Sequence, residues 1–477
     1  MKITKPVFFS AIPLVSVLLV FLALPIGTSA DANVVTTSDD QTEIAITVYN
    51  DGTGLVKDTR KLNLPDGEFD LIFMDVASQI DATSVHFKSV TNPDAITVLE
   101  QNYEYDLVST AALYQRNIDN KVKIRTGDGR TIEGTLLSYD GSFVLNTDSG
   151  IEIINNAVEI SFAKLPEGLI TRPTLRWSLV NDRSGNHDCE MSYLTNGMTW
   201  KANYVAVVGE NDDKLDLSGW VTIDNTSGAS YHDAVLKLVA GSVHRVQPYV
   251  EYRNQGTEGL VFETLPKAAP GFVEESFFEY HLYTLNRPAT VLNNQQKQLS
   301  LLEGENIGVN KIFLYSPANP YYSINDTSKG EIEARLKFKN SKENGLGIPL
   351  PKGTIRVYKK DSSGSLQFIG EDSINHTPKD EDIEIFMGTA FDIVGERVVL
   401  YRRPVGPNMW EYDVKVTIRN HKEDDVVVTY WDKVWGDWEV GKSSGEYNQK
   451  DASTIEFSIP VKADGESVLT YTIRKNS

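Results

Sequence analysis

One stretch of the sequence has the spacing of a nucleotide-binding loop. Residues 436–443, GDWEVGKS, satisfy the pattern G-x-x-x-x-G-K-[ST], in which backbone N–H groups surround phosphate and the lysine reaches it. Such a loop lies between a buried strand and a helix, but no helical periodicity follows Ser443. Asp437 and Glu439 would also place carboxylates among the phosphates. The sequence therefore indicates a chance match.

Three tryptophans near the C-terminus have the side chains that stack on sugar rings. At strand spacing Trp431 and Trp435 share one face, whereas Trp438 falls on the other face or beyond a bulge. Large aromatic side chains dominate the cores of β-sandwiches, so packing in the core is the favoured interpretation. A glycan platform is the alternative.

Metal and acid–base chemistry have little support in the residue spacing. The histidines show neither H-x-x-x-H nor H-E-x-x-H spacing, and a D-x-[DN]-x-[DN]-G calcium loop is missing from the sequence. Acidic clusters could hold calcium between loops, although solvated turns are the favoured reading: Asp212, Asp213, Asp216, Asp380, Glu381 and Asp382. We therefore predict no catalytic, cofactor-binding or metal-binding residues and no cofactor.

The sequence contains three N-glycosylation sequons and a single cysteine. The sequons begin at Asn225, Asn325 and Asn375, and they matter only where the host glycosylates such sites. Cys189 cannot form an internal disulfide, so buried apolar area has to stabilise the fold. On a strand Cys189 shares a face with Met191, which predicts a core residue; a reactive thiol is the alternative.

The charge balance limits the partners of this protein. With 46 Lys and Arg against 66 Asp and Glu, the net charge is −20, and such a surface repels phosphate backbones and anionic lipid headgroups. We therefore expect no nucleic-acid partner. The acidity fits calcium binding, a salty habitat or solubility, of which solubility is favoured.

The first 30 residues predict export. Lys2 and Lys5 precede an apolar run over 7–24, and small residues lead to Ala30. This order is typical of a secretory signal peptide cut after Ala30. The apolar run is long enough that an uncleaved membrane anchor is the alternative, and only in that case would the protein have a membrane partner.

Most of the chain after Gln41 reads as short strands with period-two alternation between Gly, Asn, Asp and Pro turns, which predicts an all-β fold. The one helix candidate covers 107–116, with Ser109 near its start. Within 120–162, five short strands are joined by tight turns, which predicts a small SH3-like or Sm-like barrel. Sm-like barrels often bind RNA, but this segment lacks a basic footprint, so no RNA site is expected.

The strand spacing divides the chain into five parts. We expect immunoglobulin-like sandwiches with the small barrel inserted between them. The parts are a signal peptide (1–30), an N-terminal β segment (31–106), the small β-barrel insert (107–165), a central β-sandwich (166–327) and a C-terminal immunoglobulin-like β-sandwich (328–477).

Several runs of sequence resemble a known family. They are 47–52 (TVYNDG), 99–107 (LEQNYEYDL), 165–175 (LPEGLITRPTL), 192–205 (SYLTNGMTWKANYV), 277–286 (FFEYHLYTLN) and 347–358 with 376–380. Together they resemble the secreted proteins that carry the domain of unknown function 4139, which is related to the C-terminal part of mucoidy-inhibitor-like proteins. The resemblance implies a β-rich envelope or secreted protein without transferable catalytic residues. This chain lacks the coiled-coil segment of the mucoidy-inhibitor-like members, so a partner of that segment does not carry over.

These observations favour a non-enzymatic protein of the periplasm, cell surface or extracellular space. It would act as a structural or interaction module, with a protein or an envelope polysaccharide as partner. One alternative is a secreted hydrolase, acting on polysaccharide through carboxylates from separate loops. Another is a surface-layer or fibre-forming subunit that assembles through edge strands. The sequence does not set the oligomeric state.

Overall fold

Strands account for most of the structure, a computed structural model that describes residues 33–166, 168–241, 272–317, 322 and 327–476. Within those residues, one α-helix and three short 3-10 helices interrupt the strands. The predicted all-β fold is therefore confirmed. None of the helices described is long and apolar enough to cross a bilayer. The predicted signal segment, 1–30, lies outside the described residues.

The elements follow one another along the chain in four groups. The first contains β1 (Asn33–Thr36), β2 (Gln41–Tyr49), β3 (Thr53–Leu64), β4 (Gly67–Met74), β5 (His86–Ser89) and β6 (Ile96–Glu104). The second, within the insert, contains α1 (Thr110–Arg116), β7 (Lys121–Thr126), β8 (Thr131–Tyr139), β9 (Phe143–Thr147), β10 (Gly150–Ile154) and β11 (Ala157–Phe162).

The third group contains β12 (Thr174–Asn181), β13 (Gly185–Asn196), β14 (Met198–Val208), β15 (Lys214–Asn225), β16 (Tyr231–Ala240), β17 (Phe272–Phe277), β18 (Tyr280–Leu285) and β19 (Ala289–Val291). The fourth contains β20 (Gln295–Tyr315), β21 (Thr327–Lys339), β22 (Gly353–Lys360), β23 (Leu366–Ile374), β24 (Asp382–Pro404), β25 (Met409–Asn420), β26 (Val426–Lys433), β27 (Trp438–Ser443), β28 (Tyr447–Asp451), β29 (Thr454–Val461) and β30 (Gly465–Asn476). The 3-10 helices are Ser38–Asp40, Ala82–Ser84 and Lys342–Asn344.

Three sheets enclose the largest hydrophobic core, which we call the large core and which includes buried residues from Ile44 to Ile385. One sheet has the order β17-β18-β16-β2-β3-β13-β5, a second has the order β1-β4-β12-β6, and the third begins β23-β22-β14-β15-β20-β21. β3 pairs with β13 along its whole length. The N-terminal segment 31–106 therefore belongs to the same core as the strands that follow the insert.

The insert has a sheet and a core of its own. Its strands have the order β10-β9-β8-β7-β11, so the last strand lies beside the first. Their inward side chains, among them Ile124, Leu136 and Leu145, form a separate cluster. No pairing joins β10 to β11 in this fully described segment, so the sheet keeps two edges. The predicted helix is present as α1, and the Oγ of Ser109 accepts a hydrogen bond from the N–H of Ala112.

The second large cluster, which we call the C-terminal core, lies between two layers of strands. One layer has the order β24-β25-β30-β27, and β26 and β29 pair to form the other. Its buried residues extend from Tyr315 to Ile473. This arrangement is sandwich-like, as the alternation predicted.

Three strands, β20, β21 and β24, pass through both cores. β21 supplies Ile332 to the C-terminal core and Phe338 to the large core, and β24 supplies Ile393 to the first and Ile385 to the second. The predicted boundary between 327 and 328 is therefore wrong as a division between two independent sandwiches. Because the strands continue without a break, no linker separates the cores at this point.

Glycines make room for an aromatic ring where the two cores meet. Gly330 and Gly395 are paired on β21 and β24, and the ring of Tyr315 packs on both. A Cβ at Gly395 would lie 2.8 Å from that ring. On its other side Tyr315 stacks on Tyr430, with 5.5 Å between the ring centroids. The absence of two side chains thus permits the close packing of Tyr315.

We expect Gly395→Val to lower the free energy of unfolding by about 1–3 kcal/mol, because the new side chain would displace the ring of Tyr315. Urea unfolding followed by tryptophan fluorescence measures the change. Gly406→Ala is the matched control, since its Cβ would lie an ordinary 3.4 Å from Met409. Equal stability of the two variants would contradict this packing.

Candidate functional site

Residues 436–443 do not form a phosphate-binding loop. Their last six residues, 438–443, are the strand β27, which pairs with β30, and a further strand, β28, follows where a P-loop needs a helix. The N–H of Lys442, which would have to face phosphate, donates to Thr472 Oγ1 at 2.8 Å. The match to the motif is therefore coincidental.

The tryptophans do not lie inside the core, so the favoured packing interpretation is wrong for two of the three. Trp435 is 60% exposed. Trp431 points outward from β26, because its neighbours Tyr430 and Asp432 point inward. Trp438 alone packs against the C-terminal core.

The tryptophans also do not form a flat sugar platform. The Nζ of Lys450 lies 3.4 Å from the ring centroid of Trp431 and covers one face of the indole. The indole N–H of Trp431 donates to Glu456 Oε2 at 2.8 Å, whereas that of Trp438 donates to the carbonyl of Ala452 at 2.9 Å. Trp431 is therefore engaged by its own chain.

The acidic cluster around Asp212 is neutralised by lysines of this chain. Lys311 Nζ donates to Asp212 Oδ2 at 2.8 Å, and Lys359 Nζ donates to the other oxygen. Burial favours a higher pKa for Asp212, but these two lysines outweigh it and hold the pKa below its ordinary value. Asp216 accepts the N–H of Asn306 at 2.8 Å.

The other candidates for metal or thiol chemistry are equally occupied. Asp382, in the second acidic cluster, binds Lys337 Nζ at 2.9 Å. In the described part of the chain, no three His, Cys, Asp or Glu side chains converge to hold a metal ion.

Cys189 is buried in the large core, as predicted, and burial raises the pKa of its thiol to about 12. A reactive thiol is therefore not supported. His187 is buried between Ser89 Oγ and the carbonyl of Arg183.

The sequence analysis missed a buried charge pair in the C-terminal core. Arg397 has no exposed surface, and its Nε lies 3.2 Å from Asp432 Oδ1. Tyr322 and Tyr471 donate their hydroxyls to Asp432 Oδ2, and Tyr430 Oη accepts from Arg397 Nε at 3.1 Å. The pair is completely enclosed by phenol rings, so it serves the fold and is not accessible to substrate.

A second buried pair lies in the large core. Arg60 Nη2 donates to Asp58 Oδ2 and to the carbonyl of Met74, both at 2.9 Å. The guanidinium carbon lies 3.5 Å from the ring centroid of Phe73. The most deeply buried charges in both cores are thus paired within the protein.

Opposite charges alternate across four neighbouring strands, and Glu411 among them is nearly buried between two partly exposed arginines. Arg403 on β24, Glu411 on β25, Arg474 on β30 and Glu439 on β27 are register partners. Arg474 Nε donates to Glu411 Oε2 at 2.6 Å, and Arg403 Nε donates to Oε1 at 2.8 Å. These hydrogen bonds, with Arg474 contributing most, hold the pKa of Glu411 below its ordinary value.

A groove at the base of the insert is the best candidate for a binding surface. It has a volume of about 370 Å³ and is lined by Ser78, Tyr103, Tyr105, Leu107 and Pro173. We call it the base groove. Its walls are mainly aromatic and apolar, which suits the apolar part of a ligand.

One tyrosine of the base groove is held by a hydrogen bond, and the other is exposed to solvent. The hydroxyl of Tyr103 donates to the carbonyl of Ser78 at 3.0 Å, and burial raises the pKa of this phenol. Tyr105 is 72% exposed, and its ring centroid lies 5.6 Å from that of Tyr103. One ring is therefore fixed and the other is open to a partner.

The two connections of the insert meet beside the groove. Leu107 and Ile170 form a parallel bridge, in which the N–H of Val108 donates to Ile170 O at 2.9 Å and the N–H of Ile170 donates to Asp106 O at 3.0 Å. Two of the runs on which the family resemblance rests, 99–107 and 165–175, come together here. No protein-family model and no curated protein matches this sequence.

We expect Asp432→Asn to lower the free energy of unfolding by about 3–5 kcal/mol, because it leaves the buried guanidinium of Arg397 without a counter-charge. Asp425→Asn is the control, since Asp425 pairs with Lys462 on the surface and its loss should leave stability nearly unchanged. Chemical denaturation measures both variants. A similar loss in both would contradict the proposed burial of the Arg397 pair.

The alternating surface charges predict a pH-dependent stability. Because the folded pKa of Glu411 is lowered, its contribution is complete above its ordinary pKa of 4.5 and is lost as the pH falls through the folded value. We expect Glu411→Gln to reduce the melting temperature at pH 7 and to approach the wild type in strong acid. Melting curves between pH 7 and pH 2 test this. A difference that stays constant over the whole range would rule out the linkage.

Proposed function

We propose that this protein is an exported, non-enzymatic β-scaffold that presents the insert and the base groove to a partner. The order of residues 1–30 supports export, as does the resemblance to the secreted proteins with the domain of unknown function 4139. The partner chemistry that we favour is a surface protein or an envelope polysaccharide outside the cytoplasm.

The observation that carries the proposal is the way the insert is attached. Its own core is separate from the large core, and its two ends meet at the bridge between Leu107 and Ile170. A unit attached at one point does not add to the stability of the sheets beneath it. Such an arrangement places a small folded unit at the surface, which suits recognition.

The side chains exposed on the insert and in the groove suit this role. Ile151 and Ile153 on the edge strand β10 are 61% and 66% exposed, and Val158 on β11 is 60% exposed. Tyr105, just before the insert, adds an exposed aromatic ring in the base groove. Exposed apolar surface of this kind favours a contact with a partner.

We expect replacement of residues 109–168 by a short Gly-Ser linker to leave the remaining protein folded but unable to bind. The bridge between Leu107 and Ile170 already holds the cut ends together, so the two cores should retain their melting temperature. The measurement is retention of the purified protein on polysaccharide and on surface proteins isolated from its own organism.

Point variants test the groove itself. Tyr105→Ala should reduce retention, whereas Tyr401→Ala, a 65% exposed tyrosine on β24, should leave it unchanged. Wild-type retention of both the deletion and Tyr105→Ala would overturn the proposal. Catalytic turnover of glycans or peptides by the wild type would favour the hydrolase instead.

A further inference from the structure

The sequons of this chain differ in whether their asparagine has room for a sugar. Asn325, the start of one sequon, lies outside the described residues. Asn225 and Asn375 start the other two, and the first is buried whereas the second is exposed. A match to the sequon is therefore not enough for modification, because the asparagine must also be exposed in the folded protein.

Asn225 is occupied by the fold. Its side chain has no exposed surface, and its Nδ2 donates to the carbonyls of Ala229 at 2.9 Å and Leu292 at 3.1 Å. Its Oδ1 accepts from the N–H of Ser227 at 3.1 Å. A glycan on Nδ2 would break these bonds and would have to lie inside the large core. The folded protein is therefore incompatible with a sugar at Asn225.

Asn375 lies at the surface, immediately after the last residue of β23. The hydroxyl of Thr377, the third sequon residue, donates to the carbonyl of Asn375 at 2.9 Å. Thr377 is itself held by two backbone hydrogen bonds with Leu350, of 2.8 and 2.9 Å. The sequon is thus presented to solvent from a fixed position.

We propose that Asn375 carries an N-linked glycan and that Asn225 does not. The proposal rests on the export part of the proposed function, because the transferases and their lipid-linked sugar donors act outside the cytoplasm. In the transfer, Asn375 Nδ2 forms a bond to C1 of the first sugar. The bond from C1 to the phosphate oxygen of the donor breaks, the lipid phosphate leaves, and the amide loses one proton to a base.

The test uses the protein purified from the envelope or medium of its own organism. After proteolysis, mass spectrometry should find the peptide with Asn375 heavier by a glycan and the peptide with Asn225 unmodified. Asn375→Gln and Thr377→Ala should abolish the added mass, whereas Thr377→Ser, which keeps the sequon, should retain it.

The outcomes separate this proposal from the one on which it rests. An exported protein with an unmodified Asn375 would overturn the glycan proposal and leave the proposed function intact. Sugar found on Asn225 of the folded protein would also overturn it. Full-length protein recovered from the cytosol would overturn both.

Discussion

The hydrogen-bonded continuity of β20, β21 and β24 is the constraint on which the remaining architecture depends. Each of these strands supplies inward side chains to both the large core and the C-terminal core. A hinge between the cores would have to break several ladders at once, because β21 pairs with β20 on one side and with β24 on the other. The two cores are therefore one mechanical unit, and among the residues that the structure describes the insert, attached through neighbouring ends, is separate from it.

Many charged side chains are likewise bound by partners within the protein. Side chains that could perform chemistry are largely engaged by the protein itself: Asp212 by two lysines, Asp432 by Arg397 and two phenols, and Glu411 by two arginines. Some of these pairs join residues that are remote in sequence, as Asp432 with Arg397 and Glu411 with Arg474 do, and so hold neighbouring elements together.

Local pattern was sufficient for the elements whose signals are local. The tight turns of the insert, the cap at Ser109 and the inward face of Cys189 all follow from neighbouring residues. Strand length did not: the alternation predicted short strands, whereas β24 alone has 23 residues and continues through Gly388, at a bulge, and Gly395, which accommodates the ring of Tyr315. The predicted orientation of β26 was also wrong. Asp432 points inward and Trp431 outward, which reverses the usual order. Arg397, on β24, pairs with Asp432 and so allows this carboxylate to point inward. Nothing in the sequence of β26 itself indicates that partner. The base groove was missed because its residues come from three separate segments.

The length of β24 bears on how the molecule would respond to being pulled. Hydrogen bonds between antiparallel strands are perpendicular to the strand direction. Tension along β24 would therefore shear its ladders with β21 and β25, so that many bonds share the force. Peeling a strand from a sheet edge breaks such bonds one after another. An anchored molecule stretched in this direction would resist extension through the centre of its fold, while its edge strands and its insert would yield first.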